Sequence, residues 1–499
     1  MAVYAAVTSL MGTVHLISQS SLDLQESNKE HLESLYDKVG SLLEFLDNSD
    51  NELMKDLQKK VKDLANEVED EVESQVVRIM EKDKHIQKEA NERLRKILEQ
   101  AIDDIYSVKE ELIKQRNKNN NLLAGNWSLS SKRTLDEWNE VAQSVTSLVI
   151  LDDYQRCSGV LALSYNHLPS HLKACFLYFG VFKKASEISV ENLIRLWMAE
   201  GLLKLSGIGE LEKEASSLLH DLIDKNLIVA CKRSLDGKIK ACRIHDLLHD
   251  LCLRESESES LLYVSNPQIS GTNVPQHGRW VSFHQEPEED FFSLPFPTYG
   301  KTRSLHFLAV KPYSLEFELG LDRFKLLRVL DLLGSGVWHL PNGLSNLVSL
   351  RYLRATCWGY PRIYKLRNLQ FLSFRGDKKL KPVNLHLPDG TWKMSQLRHL
   401  DSTGFYLCSP PKVSDNKYRV LENLQSVHGL RPICCTKEMF EGIKKVKKLG
   451  ICGESNHFYD APKCLDYLRY LPELEALKII LYDHYGSDFL HRHPVPLVH

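Results

Sequence analysis

From Thr302 onward one short pattern, L-x-x-L-x-L, recurs with Leu, Ile, Val or Phe at the fixed places. It is carried by Leu327, Leu330 and Leu332; Leu350 and Leu353; Leu369, Leu372 and Phe374; Leu397 and Leu400; Leu424 and Val427; Val446, Leu449 and Ile451; and Leu474, Leu477 and Ile479. One such unit cannot bury its own apolar side, so successive units must stack, each giving a short strand to a shared core. Residues 302–499 are therefore predicted to be an α/β solenoid of leucine-rich repeats. Its concave sheet would leave the residues between the leucines to read a partner, and Arg328, Asp331, Arg351, Tyr352 and Arg354 are the candidates. Repeat lengths are uneven and HRHPVPLVH offers no polar cap, so the last repeat is expected to be truncated.

The first third carries a helical period instead. Leu32, Leu35, Val39, Leu42 and Leu46 recur at steps of three and four, as do Leu53, Leu57, Val61, Leu64, Val68 and Val72. A third series runs through Ile86, Ala90, Leu94, Ile97, Ala101, Ile105 and Val108. Each series is one apolar helix face that has to be buried. With the apolar segment MAVYAAVTSLMGTVHLI, they predict a four-helix coiled-coil domain over residues 1–115. That opening segment lacks a basic start and is interrupted by Thr8, Ser9, Thr13 and His15, so export is not expected. Glu67, Glu69, Asp70, Glu71 and Glu73 form a cluster dense enough to dock basic side chains of another domain.

Charge and cysteine usage narrow the function. A formal net charge of -2 and a pI near 6.9 give no field for attracting phosphate backbones, so nucleic acid is not an expected partner. The eleven cysteines include no CxxC pair and read as reduced thiols of a cytosolic chain, with Cys434 and Cys435 as packing residues. No run of eighteen apolar residues occurs, so no membrane span is predicted. No nucleophile, base or carboxylate constellation is recognisable, and the chain is not expected to be an enzyme.

The middle of the chain is the most specific part. RNKNNNLLAGNWSLSSKR reads as a linker, placed at 116–134. Leu193, Ile194, Leu196 and Trp197 form the buried stripe of a short helix ended by Gly201. LIVACK and KIKACRI alternate as strands around Asp236-Gly237, a strong hairpin turn. Helices followed by a hairpin make a winged helix, predicted over 175–258. A DNA-binding role would rest on Lys232, Arg233, Lys238, Lys240 and Arg243 alone, without a basic recognition helix.

Trp138, Leu163-Ser164-Tyr165 with Leu168-Pro169, Lys173, Cys175-Phe176-Leu177-Tyr178, and Leu196-Trp197 with Glu200-Gly201 resemble the helical and winged-helix subdomains of plant NB-LRR disease resistance proteins, closest to the late blight resistance subgroup. The resemblance implies a remnant helical subdomain over 135–174 and a connector over 259–301. The expected fold class is thus multidomain and mostly α with an α/β solenoid: a four-helix coiled-coil domain, helical plus winged-helix subdomains and a leucine-rich-repeat domain.

The resemblance also assigns roles. Ile244-His245-Asp246 stands where the family has Met-His-Asp, whose histidine contacts the phosphate of bound ADP; a lone His-Asp pair otherwise reads as a helix start. The acidic cluster resembles, loosely, the family's acidic motif that contacts its repeats. However, the chain contains no GxxxxGK[ST] loop to surround phosphates with backbone N–H groups. Gly300-Lys301-Thr302 reads as a loop before the repeats, and Leu148 to Asp153 of SLVILDD comes after Trp138, out of order for a magnesium-binding strand. ADP and ATP binding is therefore expected to be lost, leaving no cofactor. The implied function is defence through protein contacts, in pathogen recognition and the hypersensitive response. Expected partners are a pathogen effector or guarded host protein, full-length NB-LRR receptors, and a second copy through the coiled coil, in the cytoplasm or peripherally at the plasma membrane. The alternatives are a nucleotide-switched ATPase with a divergent phosphate site and a non-functional truncated product.

Overall fold

The computed structural model describes residues 2–19, 24–47, 55–81, 83–124, 161, 164–166, 168–203, 211–265, 278–284, 299–308, 320–335, 340–356, 362–363, 365–375, 385–414 and 417–482. The chain divides into two compact units, Met1–Leu262 and Tyr263–His499.

The first unit begins with four helices: α1 (Ala2–Ser18), α2 (Glu26–Asp47), α3 (Lys55–Ile79) and α4 (Lys84–Ala124). The inward stripe of α2 is the predicted one, with Leu32, Leu35, Val39, Leu42 and Leu46 all buried. On α3 and α4 it is turned slightly: Ala65 and Leu98 are sealed, whereas Leu64 and Ile97 are only partly covered. Two polar contacts fix the register of these otherwise greasy faces. Asn28 Nδ2 donates to the Asn91 carbonyl at 3.0 Å and to Asn91 Oδ1 at 3.1 Å, tying α2 to α4. A buried amide in such a seam gives a specific register, since any slip leaves it unpaired. Helix α4 continues past residue 115 into the segment predicted as a linker, because neither Gly nor Pro stands before Gly125 to stop it. Trp138, Leu163 and the SLVILDD segment lie outside the described residues.

The winged helix follows. Helices α5 (Ser170–Leu177), α6 (Val190–Glu200) and α7 (Leu211–Asp224) precede a hairpin, and α8 (Asp246–Ser258) leaves it. Strands β1 (Ile188–Ser189), β2 (Ile228–Arg233) and β3 (Ile239–Ile244) form an antiparallel sheet with β3 central. Gly201 ends α6 in the left-handed conformation (φ 80°), as expected from its place after the apolar stripe. Trp197 is fully buried, edge-on to Phe179 at 6.1 Å between ring centroids.

One buried histidine of this core sets a pH limit. His249 Nε2–H donates to the Phe182 carbonyl at 2.8 Å, and burial holds its pKa below 6.5, against the opposing pull of that hydrogen bond. The unfolded chain takes up the proton near 6.5 and the folded one resists it, so this contribution to stability is complete above 6.5 and is lost as pH falls through the folded value. Denaturant titrations between pH 7.5 and 5 are expected to show falling stability on the acid side, with a shallower slope in His249→Leu.

The second unit is a mostly parallel 11-stranded sheet. Its strands are β4 (Leu262–Ser265), β5 (Trp280–Phe283), β6 (Ser304–Phe307), β7 (Val329–Asp331), β8 (Tyr352–Thr356), β9 (Phe371–Arg375), β10 (Leu385–Leu387), β11 (His399–Leu407), β14 (Ser426–Leu430), β15 (Lys448–Glu454) and β16 (Ala476–Tyr482). β12 (Lys412–Ser414) and β13 (Lys417–Tyr418) form a separate hairpin. The repeated apolar residues fall into one column: Val281, Leu305, Leu330, Leu353, Leu372, Leu400, Val427, Leu449 and Leu477 pair strand by strand. Gly300-Lys301-Thr302 belongs to a tight turn before β6, with the Thr302 hydroxyl donating to the Gly278 carbonyl at 3.5 Å, and is not a phosphate loop.

The surface predicted between the leucines is corrected by these strands. Arg328, Asp331, Arg351 and Tyr352 are buried, and only Arg354 remains half-covered. Parallel strands stack like positions on one another, so these side chains cover each other. Tyr352 lies 6.1 Å from Phe371, and Arg354 Nη1 reaches Asp331 Oδ2 at 3.3 Å. Asp331 also accepts from the Leu333 N–H at 3.1 Å.

Candidate interface between the helical bundle and the winged helix

Helix α1 is apolar nearly all round, and such a helix must be enclosed on every side. Residues 3–14 are all buried. Two sides are covered by α2 and α3, and α5 of the winged helix packs against it as well. The Tyr4 and His171 rings approach to 6.2 Å there.

Ser9 and Thr13 are one turn apart and point the same way, so their hydroxyls need a common acceptor inside the protein. Glu69 supplies it, accepting from Ser9 Oγ at 2.8 Å and Thr13 Oγ1 at 2.9 Å while itself wholly buried. Ser9 Oγ also lies 3.4 Å from the Glu200 carbonyl, the last residue of α6. A second tether joins α3 to the residue after α8: Lys62 Nζ meets Glu259 Oε2 at 2.9 Å and the Glu259 carbonyl at 3.4 Å. Both side chains are largely sheltered, which makes this pair less screened than an exposed one.

The predicted acidic face therefore divides. Glu67 and Glu71 face solvent, Asp70 is half-buried, and Glu69 and Glu73 are buried. Residues 67 and 71 lie on one side of a helix and 69 and 73 roughly opposite, so the five cannot present one docking surface. In the sequence Ser9 and Thr13 read only as interruptions of an apolar segment, and Lys62 and Glu259 carry no local signal. The one available signal was the pair of hydroxyls four residues apart in an otherwise apolar helix.

Ile244, His245 and Asp246 come together as a strand end and a helix start. Ile244 closes β3 and is buried. His245 caps α8, its Nδ1 accepting from the Leu247 N–H at 3.3 Å, and both His245 and Asp246 are exposed. The acid sits in the first turn, where the helix dipole favours it.

Among the described residues no group of His, Cys, Asp or Glu could hold a metal ion, and the described cysteines are free thiols. No described helix is long and apolar enough to cross a membrane.

The chain is similar to plant disease resistance proteins. Residues 181–252 match the family model for the disease resistance protein winged helix domain. Over 365 residues the chain is 30% identical to the tomato (Solanum lycopersicum) ToMV resistance protein Tm-2(2), a match covering 70% of this chain and 41% of that protein. The tomato ToMV susceptible protein tm-2 matches at the same identity. The putative late blight resistance protein homolog R1B-14 of Solanum demissum is 34% identical, over 62% of this chain and 23% of its own length. The probable disease resistance RPP8-like protein 4 of Arabidopsis thaliana is 29% identical over 72% of this chain and 41% of its length. The chain thus spans about two fifths of the length of the first of these relatives.

Proposed function

The chain belongs with the NB-LRR disease resistance proteins of plants, near their late blight subgroup, and from that premise we propose that it acts in defence through protein contacts, without a nucleotide switch. In this reading the four helices are the coiled-coil domain, the parallel strands are leucine-rich repeats, and the protein works in the cytoplasm. The observation that carries it is the spacing after α4. Only residues 125–169 separate Ala124 from Ser170, where α5 begins, fewer than the ~50 residues at the lower bound for a domain. A doubly wound nucleotide-binding domain does not fit there, and His245 is exposed and accepts from the Leu247 N–H of its own helix.

What remains is contact machinery. The bundle and winged helix clasp α1, and the repeats offer a partner their later strands. There Ser373, Asp401, Ser402 and His428 are half-covered and Arg375 is exposed, ion-paired with Asp401 at 3.2 Å. A pathogen or guarded host protein, or a full-length receptor, would be read on that face, in place of the buried residues of β7 and β8.

Equilibrium dialysis of the full chain with labelled ADP tests the reading. No retention at micromolar nucleotide is the expected result, and retention would establish the nucleotide-switched alternative. A monodisperse peak in size-exclusion chromatography is expected as well, whereas a damaged gene product would aggregate through uncovered subdomain faces.

A further inference from the structure

The turn of the β2–β3 hairpin holds a bare leucine among cations. Leu235 is 111% exposed, as open to water as in an unfolded chain, and Val229 farther along β2 is 58% exposed, opposite Arg243 in the ladder. A lone surface leucine is common. This one, however, is braced outward. The Ser234 N–H donates to the Lys238 carbonyl at 2.8 Å, and the Gly237 N–H donates to the Ser234 carbonyl at 2.9 Å. The Ser234 hydroxyl donates to the Asp236 carboxylate, and Arg233 Nη1 donates to the Gly237 carbonyl at 3.2 Å. With Gly237 in the left-handed region, the turn is knit on both sides of Leu235 and does not fold the leucine back onto the protein.

The charge around it has one sign. Residues 228–244 contain five cations, Lys232, Arg233, Lys238, Lys240 and Arg243, against Asp236 alone, in a chain whose net charge is -2. All five are exposed. Lys238 pairs with Asp236 at 3.0 Å and Lys232 with Glu187 at 2.7 Å, whereas Arg233, Lys240 and Arg243 form no ion pair among the described residues. Their charge is thus available to an anionic partner.

Two anionic surfaces of large extent could take such a tip, a nucleic acid or a lipid bilayer. Helix α7, packed on β2, carries Glu212, Glu214, Asp221 and Asp224 against Lys213, and a helix of that charge is repelled from a nucleic-acid groove. A bilayer needs only the tip, and it rewards the combination seen here: an apolar side chain enters the headgroup boundary while cations meet acidic headgroups.

We propose that the β2–β3 hairpin is a contact site for an anionic lipid bilayer, with Leu235 entering the headgroup region and Arg233, Lys240 and Arg243 meeting the acidic headgroups. The contact rests on the hairpin alone and is the same whether or not the chain binds nucleotide.

Co-sedimentation of the full chain with phosphatidylcholine vesicles, with and without phosphatidylserine, tests this. Retention on the phosphatidylserine vesicles, weakened by added salt, is the expected result, with little on phosphatidylcholine alone. Leu235→Ser lowers the partition about tenfold, and changing Arg233, Lys240 and Arg243 together to glutamine lowers it about a hundredfold at low salt. Because Leu235 is bare, L235S should melt as the wild type does. Tyr459→Ser, at an 85% exposed aromatic of the second unit, leaves the partition unchanged. No retention on phosphatidylserine vesicles, or retention that neither L235S nor the triple variant reduces, would overturn the proposal. Release of the protein from the vesicles by duplex DNA at constant ionic strength would also overturn it, and would give the hairpin to nucleic acid.

Discussion

Replacing Ser9 and Thr13 together by alanine is expected to destabilise the first unit by about 3–6 kcal/mol, since each hydrogen bond to a buried charge contributes about 1.5–3 kcal/mol. The loss is large because Glu69 stays behind in the interior with two donors removed. Adding Glu69→Leu to the double variant should recover most of it, because the triple variant no longer buries a carboxyl at position 69 without its donors. Glu69→Leu alone removes the 2.8 Å and 2.9 Å contacts of the Ser9 and Thr13 hydroxyls and should cost about 1–3 kcal/mol. Denaturant unfolding of the full chain, read on the transition of the first unit, completes the cycle. Simple additivity of the three changes would show that Glu69 does not hold α1.

Gly429→Ala should damage the second unit by about 4 kcal/mol, at the top of the range for single substitutions. Gly429 has φ 98°, and an added Cβ would stand 2.2 Å from the Ser402 carbonyl oxygen and 2.9 Å from its carbon. Both obstacles are backbone, on the adjacent strand, and neither can swing aside. Gly237 serves as the control. It is also left-handed (φ 81°), but nothing lies within 4 Å of its missing side chain, so Gly237→Ala should cost only about 1 kcal/mol of backbone strain. Equal effects at the two glycines, measured by melting, would remove the steric half of this account.

Periodic features are legible in the sequence itself. The stripe of α2, the stop at Gly201, the Asp236-Gly237 hairpin and the leucine column of the second unit all follow from spacing, because each depends only on neighbours in sequence or on a repeat. The candidate sites fared differently. Counting carboxylates between 67 and 73 marked a cluster, but the rotation of 100° per residue already separates Glu67 and Glu71 from Glu69 and Glu73. Reading the residues between repeat leucines as surface ignored what parallel stacking does to long side chains, and Arg328 and Asp331 are buried as a result. The Lys62–Glu259 pair and Ser9 with Glu69 join positions far apart in the chain, and no local pattern announces them.

Cover drops abruptly at the last described strand of the second unit. Every residue of β7 is enclosed, whereas β16 alternates between bare and half-clad. Among the described strands an inner one is gripped on both flanks and β16 by β15 alone, so releasing an inner strand breaks two ladders and releasing β16 breaks one. Opening therefore starts, among the described strands, at the edges of the sheet, and the barer β16 yields before β7, which is held on both flanks.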